Sequence, residues 1–511
     1  MNSAAKGMSV IILLMGSLTS LWFFVTNMQS MILPLTFFAV LLILVLIASS
    51  LGLLLPQKLR FLCDCLSKIA KHRFFPVVTL FLVACVGLVL RFLFYVKFTY
   101  VPAADPGHYF TTAQSLASGA GLGENSSYVA FFPYLASYDN LLGCALTIIK
   151  DPWLATIILN SVCDLFAALI VFFLVKASTK STPMVALIAF TLWFLSPFNI
   201  IFSVLSLPII TTNSFIITTV FVAFLLTGSI KNRMLPQSLL LSLLLGVVIG
   251  CGNCFRPIFI IAIVALALFF FILVLGSTPS KKVVLLVVSS LVIVFAVYFG
   301  IQQAHNALVS HQTGETVPSA TGGWSIYVGA NFDSQGVWNR EDDDYLEHLR
   351  ESNTDNQAVH NQLQSEGLER YRSYGVPKTL ELLLEKLAHF SGSQNFLYNA
   401  NGSIVGYQDS TTAHLVNVYL LFYLFFLFAA CARFLFLHAR HTAKRLRAEF
   451  VSSGDFFIVF ITILMLGFFL SDMLVETSNR YAQIMYPLFI VVAALSLQKT
   501  QRALAPRKHS E

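Results

Sequence analysis

A chain of 511 residues that is 57% hydrophobic and only 11% charged, with a mean hydropathy of +0.77, cannot fold as a soluble globular domain, because such domains carry about a quarter charged residues. The net charge of +7 does not point to nucleic acid, since Lys and Arg in excess gather in the cytoplasmic loops of membrane proteins. The eight cysteines fall mostly inside apolar runs and make no disulfide framework. Cys251 and Cys254 in "CGNC" could pair or serve as small packing residues in a helix.

A bilayer core offers no water to backbone groups, so apolar runs of about 20 residues must be helices packed into a bundle. Twelve such runs are expected, near 8–28, 30–54, 74–97, 152–177, 183–203, 208–228, 236–253, 257–276, 283–303, 411–434, 455–474 and 479–497. The first has one flanking Lys6 and no small-residue cleavage pattern behind it, which predicts a retained span rather than a signal peptide. With the N-terminus inside, the cytoplasmic segments hold 21 of the 32 Lys and Arg residues, and the short outer loops hold four: Lys97, Lys150, Arg256 and Arg480. This bias predicts a multi-pass plasma-membrane protein with both termini cytoplasmic.

Two segments then lie outside, at about 98–151 and about 304–410. The expected organisation is a membrane region 1–303 that includes the first outer loop, an extracytoplasmic domain 304–410, and closing helices with a cytoplasmic tail, 411–511. The fold class is all-α and polytopic, with a small α or α+β outer domain. In that domain "YLEHLRESNTDNQAVHNQLQSEGLERYRSYGVPKTLELLLEKLAHF" predicts two or three helices broken near Gly375-Val376-Pro377. "WSIYVGANFDSQGVWN" predicts a short strand and turns. The acidic run "EDDD" at 341–344 lacks the spaced ligands of a Ca²⁺ loop and reads as solvated surface.

The first outer segment is too apolar for a free loop. Pro106 suits the first turn of a helix and Asp105 its N-cap, with a helix end at Gly119 or Gly121. The segment "YLASYDNLLGCALTIIK" is amphipathic, and both helices are expected to lie along the membrane surface. Asp105 then sits at the outer face directly after the third span, where a carboxylate is a cap, a paired charge or a working group. His108 shares its helix face. The two could share a proton or contribute to a metal site, although two residues alone do not make one. Glu124, Tyr138 and Asp139 add polar groups to the same segment. Asp164 and Asp472, in or near spans, are expected to pair within the bundle.

The arrangement resembles the GT-C superfamily of integral-membrane glycosyltransferases, in its protein O-mannosyltransferase-like and aminoarabinose-transferase-like bacterial branches. "DPGHYFTTAQSLASG" resembles the family block D-x-x-x-Y-x-x-x-A-x-x-L-x-x-G. "FFPYLASYDNLLG" resembles the aromatic-Pro segment that follows it. "GANFDSQGVW" resembles a G-x-N-x-x-S-x-G-x-W stretch, and "ETSNRYAQIMYP" an E-x-x-x-R-Y ending before the last span. Some relatives carry two adjacent acidic residues where Asp105 is followed by Pro106, and two spans here precede the one that usually leads to the catalytic loop.

The resemblance implies an extracytoplasmic active site that moves a sugar from a polyprenyl-phosphate donor to an acceptor hydroxyl on a glycan, lipid or protein, with inversion. Asp105 would be the general base. Arg256 and Arg480, at outer helix ends where charges are costly, would bind the donor phosphate. His108, Tyr109, Tyr138, Asp139, Asn331 and Tyr481 would contact substrate. A divalent cation, with Asp105 and His108 as its weak candidates, stays open. Membrane lipids are partners and nucleic acid is not. The alternatives are a secondary transporter, or a flippase or polymerase of polyprenyl-linked glycans. A transporter would be expected to show related halves, and no internal repeat is visible; nor does it need a large outer domain.

Overall fold

The structure is a computed structural model that describes residues 2–29, 74–179, 183–276, 280–352, 355–391, 404–407, 411–444, 453–478 and 480–504. The span expected at 30–54 lies outside the described residues. Among those described, seven helices are long and apolar enough to cross a membrane. They are α1 (Asn2–Gln29), α2 (Phe75–Lys97), α6 (Pro152–Thr179), α9 (Ile209–Lys231), α10 (Leu235–Phe255), α12 (Lys281–Thr313) and α17 (Ser453–Leu474). Four shorter apolar stretches complete the bundle: α7 (Pro183–Phe194), α11 (Ile260–Gly276), part of α16 (Thr411–Lys444) and part of α18 (Tyr486–Leu504). The chain is therefore an all-α polytopic membrane protein. α1 packs along α16, α10 along α12, and α6 between α7 and α9. The lipid-facing sides stay apolar, as on α2 with Val77, Phe81 and Leu93 exposed.

The stretch expected as one span over 183–203 is broken. α7 ends at Phe194, and α8 (Pro197–Phe202) starts after Ser196 because Pro197 cannot continue the preceding hydrogen-bond ladder. The freed carbonyls are taken up by buried side chains, as the bilayer requires. Arg91 donates to Phe194 O at 3.2 Å and pairs with Asp164. Asn199 donates to Asp164 at 2.8 Å and to Trp193 O at 3.0 Å. The expected pairing of Asp164 is thus with Arg91, while Asp472 accepts from the Thr477 hydroxyl at 2.9 Å.

Between α2 and α6 the chain forms strand β1 (Thr99–Tyr100) and helices α3 (Ala104–Ala117), α4 (Ser126–Phe131) and α5 (Leu135–Ile148). α3 packs on α5, so both expected helices are present. β1 pairs antiparallel with β2 (Ile404–Val405), which follows the outer domain.

The segment expected as an outer domain contains α13 (Gly323–Gly329), α14 (Arg340–Ser352) and α15 (Asn356–Ser391). The stretch expected as a strand at "WSIYVG" is helical. Trp324, Tyr327 and Val328 recur at three and four residues and are all buried, in a helix that packs on α15. Gly323 allows that approach, since a Cβ there would lie 2.0 Å from His360 O. α15 kinks at Gly375 (φ 65°), the break expected there. The "EDDD" run is corrected in one position: Asp342 is buried, held by Arg370 at 3.0 Å and by Asn331 and Asn339. Cys251 and Cys254 are free, packed in or beside a helix end.

Candidate active site

α3 starts two residues earlier than expected. Ala103 is the N-cap and Asp105 lies in the first turn without capping it. Ala104, immediately before Asp105, has φ +50°, a left-handed conformation that costs a residue with a Cβ of order 1–3 kcal/mol and concentrates at functional sites. The turned backbone is held by buried hydrogen bonds. Ser206, in the irregular stretch after α8, donates to Pro106 O at 2.6 Å. The Tyr100 hydroxyl lies 2.7 Å from the same Ser206 Oγ and accepts the Ser206 N–H at 3.3 Å. Asn160 of α6 supports that stretch from below, donating to Ser203 O at 3.1 Å and Leu205 O at 2.9 Å. Tyr138 donates to Asn160 at 3.1 Å.

Asp105 is 46% exposed and accepts from Arg480 Nη1 at 2.6 Å. Glu476, one turn before Arg480, also acts on it electrostatically. Arg256 sits over the Tyr481 ring at 4.2 Å and Arg480 lies 5.4 Å from the same ring. The Tyr481 hydroxyl donates to Glu476 at 3.3 Å. Three outer-loop basic or acidic groups singled out in the sequence, Asp105, Arg256 and Arg480, thus meet around one tyrosine.

The charges shape one another. Arg480 holds the Asp105 carboxyl below its ordinary range against the opposing effect of burial, with His108 and Arg256 helping. Burial lowers the His108 imidazole, partly offset by Asp105, so it is neutral near pH 7. Burial pushes Glu476 up while Arg480 pulls it down. Burial and then Glu476 push Tyr481 up to about 12, leaving it a neutral donor. The His108 ring stands edge-on to Tyr128 at 4.5 Å, and its Nε2 is buried without a hydrogen-bond partner.

The segment holding α13–α15 reaches this site. Gly329 packs directly on the Val475–Glu476 backbone, where a Cβ would lie 2.3 Å from Val475 C. The Glu476 N–H donates to Ser325 O at 2.6 Å and the Thr477 N–H to Gly336 O at 2.8 Å. Lys386 of α15 is buried and donates to Gly329 O at 2.9 Å and Tyr371 at 3.2 Å, with Asp472 and Glu476 close enough to hold its charge.

Other expected contacts fall elsewhere. Tyr138 and Asp139 are fully buried; the first supports Asn160, and neither Asp139 oxygen has a hydrogen-bond partner. Burial raises the Asp139 carboxyl well above its ordinary value. Tyr109 is buried edge-on against Tyr138 at 5.4 Å. Asn331 is used in a turn, donating to Asp342 and accepting from the Asp333 and Ser334 N–H groups. Lys150 donates to Thr147 O at 2.8 Å and Lys97 to Thr412. The sequence reading missed Ser206, Asn160 and Lys386; only the E-x-x-x-R-Y spacing marked Glu476.

Among the described residues no three His, Cys, Asp or Glu side chains converge, and the Asp105 carboxylate faces guanidinium rather than further oxygen or nitrogen donors.

No protein-family model matches the chain, and no curated protein does. Solved structures match. The oligosaccharyltransferase of Archaeoglobus fulgidus in its apo form aligns with a TM-score of 0.50 and 15% identity, over 85% of this chain and 51% of that one. The archaeal oligosaccharyltransferase AglB from the same organism, in complex with an inhibitory peptide and a dolichol-phosphate, gives 0.48 and 14%, over 85% and 52%. The A. fulgidus enzyme in complex with Zn and sulfate gives 0.48 and 14%, over 83% and 49%. The chain spans about half the length of these structures, and the likeness is one of fold. The fold is shared with these oligosaccharyltransferase structures.

Proposed function

We propose that the protein is a glycosyltransferase that moves a sugar from a polyprenyl-phosphate donor to an acceptor hydroxyl at the extracytoplasmic face. The observation that carries this is the meeting of Asp105, Arg480 and Arg256 around Tyr481 at the outer ends of α2, α10 and α17. Two guanidiniums beside one carboxylate suit a phosphate leaving group and a hydroxyl nucleophile in adjacent positions. The donor phosphate competes with Asp105 for Arg480, and the freed carboxylate takes the proton of the acceptor hydroxyl. The acceptor oxygen bonds to the anomeric carbon as the bond from that carbon to the phosphate oxygen breaks. The electron pair leaves with the phosphate, held by Arg256 and Arg480, and attack opposite the leaving group inverts the centre. Glu476 and Lys386 keep Tyr481 and the arginine segment in place. No metal step is needed to balance this reaction.

The wider arrangement belongs to the same reading: twelve spans, both termini cytoplasmic, a membrane region 1–303, an outer domain 304–410 and closing helices 411–511 in a plasma membrane. Incubating the purified protein with radiolabelled polyprenyl-phosphate sugars tests the chemistry, with wild type and Asp105→Asn side by side. Transfer or release from one donor is expected, falling about 10²- to 10⁴-fold in the variant, the range a general base contributes. Neither binding nor turnover of any donor would overturn the reading, and substrate uptake into proteoliposomes would then be the measurement to make.

A further inference from the structure

The second half of α15, from the Gly375 kink to Ser391, divides into three sectors when its residues are set at about 100° intervals around the axis. One sector holds Leu382, Leu383, Lys386 and Phe390, which face the protein. A second holds Lys378, Glu381, Glu385 and His389, the polar groups. The third holds Val376, Leu380 and Leu384, with Pro377 and Ala388 beside them, and it spans about 120°; Leu387 falls in the same arc but, near the helix end, is partly buried against the core. Val376, Leu380 and Leu384 are 72%, 55% and 57% exposed.

An exposed apolar face of this width on a soluble domain would be costly, and its position explains it. At the end of the helix, Phe390 packs edge-on against Phe23 of α1 at 5.6 Å and Phe469 of α17 at 6.1 Å. Both are spanning helices. Close in sequence to these contacts the spans expose Leu21, Val25, Leu470 and Leu474. The apolar sector of α15 thus belongs to a helix whose end packs on spans that present exposed apolar side chains of their own. Its polar sector lies beside it, as in a helix seated in the plane of a membrane interface.

We propose that Val376, Leu380 and Leu384 sit in the outer leaflet of the bilayer, with phospholipid acyl chains as their occupant. The outer domain is then seated in the membrane through α15, with Lys386 held under Glu476 from the opposite side of the same helix.

Nitroxide labels attached through a non-natural ketone side chain, one at a time, at Leu380, Leu384, Glu381 and Glu385 of the full chain test this without touching the native cysteines. The protein is placed in phosphatidylcholine nanodiscs, and collision rates with oxygen and with a water-soluble nickel chelate are read by power saturation. Labels at 380 and 384 should favour oxygen several-fold over those at 381 and 385. Equal access of the nickel chelate to all four positions would overturn the proposal. Exclusion of both reagents at 380 and 384 would also overturn it, because a second copy or another protein would then cover the face. The readout is independent of catalysis, so it stands or falls apart from the glycosyltransferase reading.

Discussion

Asp105 keeps its charge further into acid than an ordinary aspartate because its nearest neighbour is a guanidinium. Its carboxyl lies below the ordinary value of 3.8 in the folded protein. The ion pair with Arg480 therefore contributes stability that is fully present above that value and is lost as pH falls through the lower folded one. The melting-temperature gap between wild type and Asp105→Asn should be constant from neutral pH to about pH 4 and narrow only below it; a gap that closes between pH 7 and 5 would contradict the pairing. On the arginines, lysine keeps the charge and loses the planar fork. Arg480→Lys and Arg256→Lys should each weaken binding of a polyprenyl-phosphate sugar about 10- to 100-fold, the loss of one charged hydrogen bond of about 1.5–3 kcal/mol. Titration of wild type and both variants with one donor measures it.

Single elements carry their own consequences. α15 is fastened to the first outer loop by His360, whose ring stacks on Phe131 at 4.0 Å while Nε2 donates to the Phe131 carbonyl at 3.1 Å. Burial lowers this imidazole to about 4, with Arg350 adding to the effect and the Phe131 bond opposing it. The unfolded histidine binds its proton at about 6.5, so between the two values the unfolded state holds more protons. Stability then falls as pH falls, by at most about 1.4 kcal/mol per pH unit. Amide exchange in residues 355–370 should accelerate from pH 6.5 to 4 after correction for intrinsic rates, and His360→Gln should flatten that dependence. Below α3, Asn160 supports the carbonyls of a non-helical stretch inside the bundle. Asn160→Ala leaves them unpaired at about 1–3 kcal/mol. It should lower the melting temperature and lower turnover more than donor affinity, because the stretch it supports holds Pro106 rather than the arginines.

At the scale of the whole molecule, the charge bias predicts both termini in the cytoplasm. Alkaline phosphatase fused after residue 504 should be inactive in cells and a fluorescent protein fused there bright; the reverse would invert the topology. The apolar spans, and Asp105, Arg256 and Arg480 as candidate site residues, were legible in the sequence, because long apolar runs need a membrane and charge at a helix end beside it has few uses. The break at Pro197 was hidden in a continuous apolar run, because the side chains that compensate for it come from α2 and α6. "WSIYVG" has the composition of a strand, and burial of one face against α15 decides for helix. Ser206 and Asn160 gave no signal, since serine and asparagine in a span read as ordinary packing until their partners are known.

The ion pair between Asp105 and Arg480 also has a bearing on biosynthesis. The two residues lie 375 apart in sequence, so the pair can form only after Arg480 has been synthesised, and the segment just before Arg480 is gripped by Ser325 and Gly336 through Glu476 and Thr477. A ribosome that stalls before the last helix leaves the carboxylate without its arginine. Each molecule should therefore become competent in a single late event of translation, and truncated products should be inert in the membrane rather than partly active.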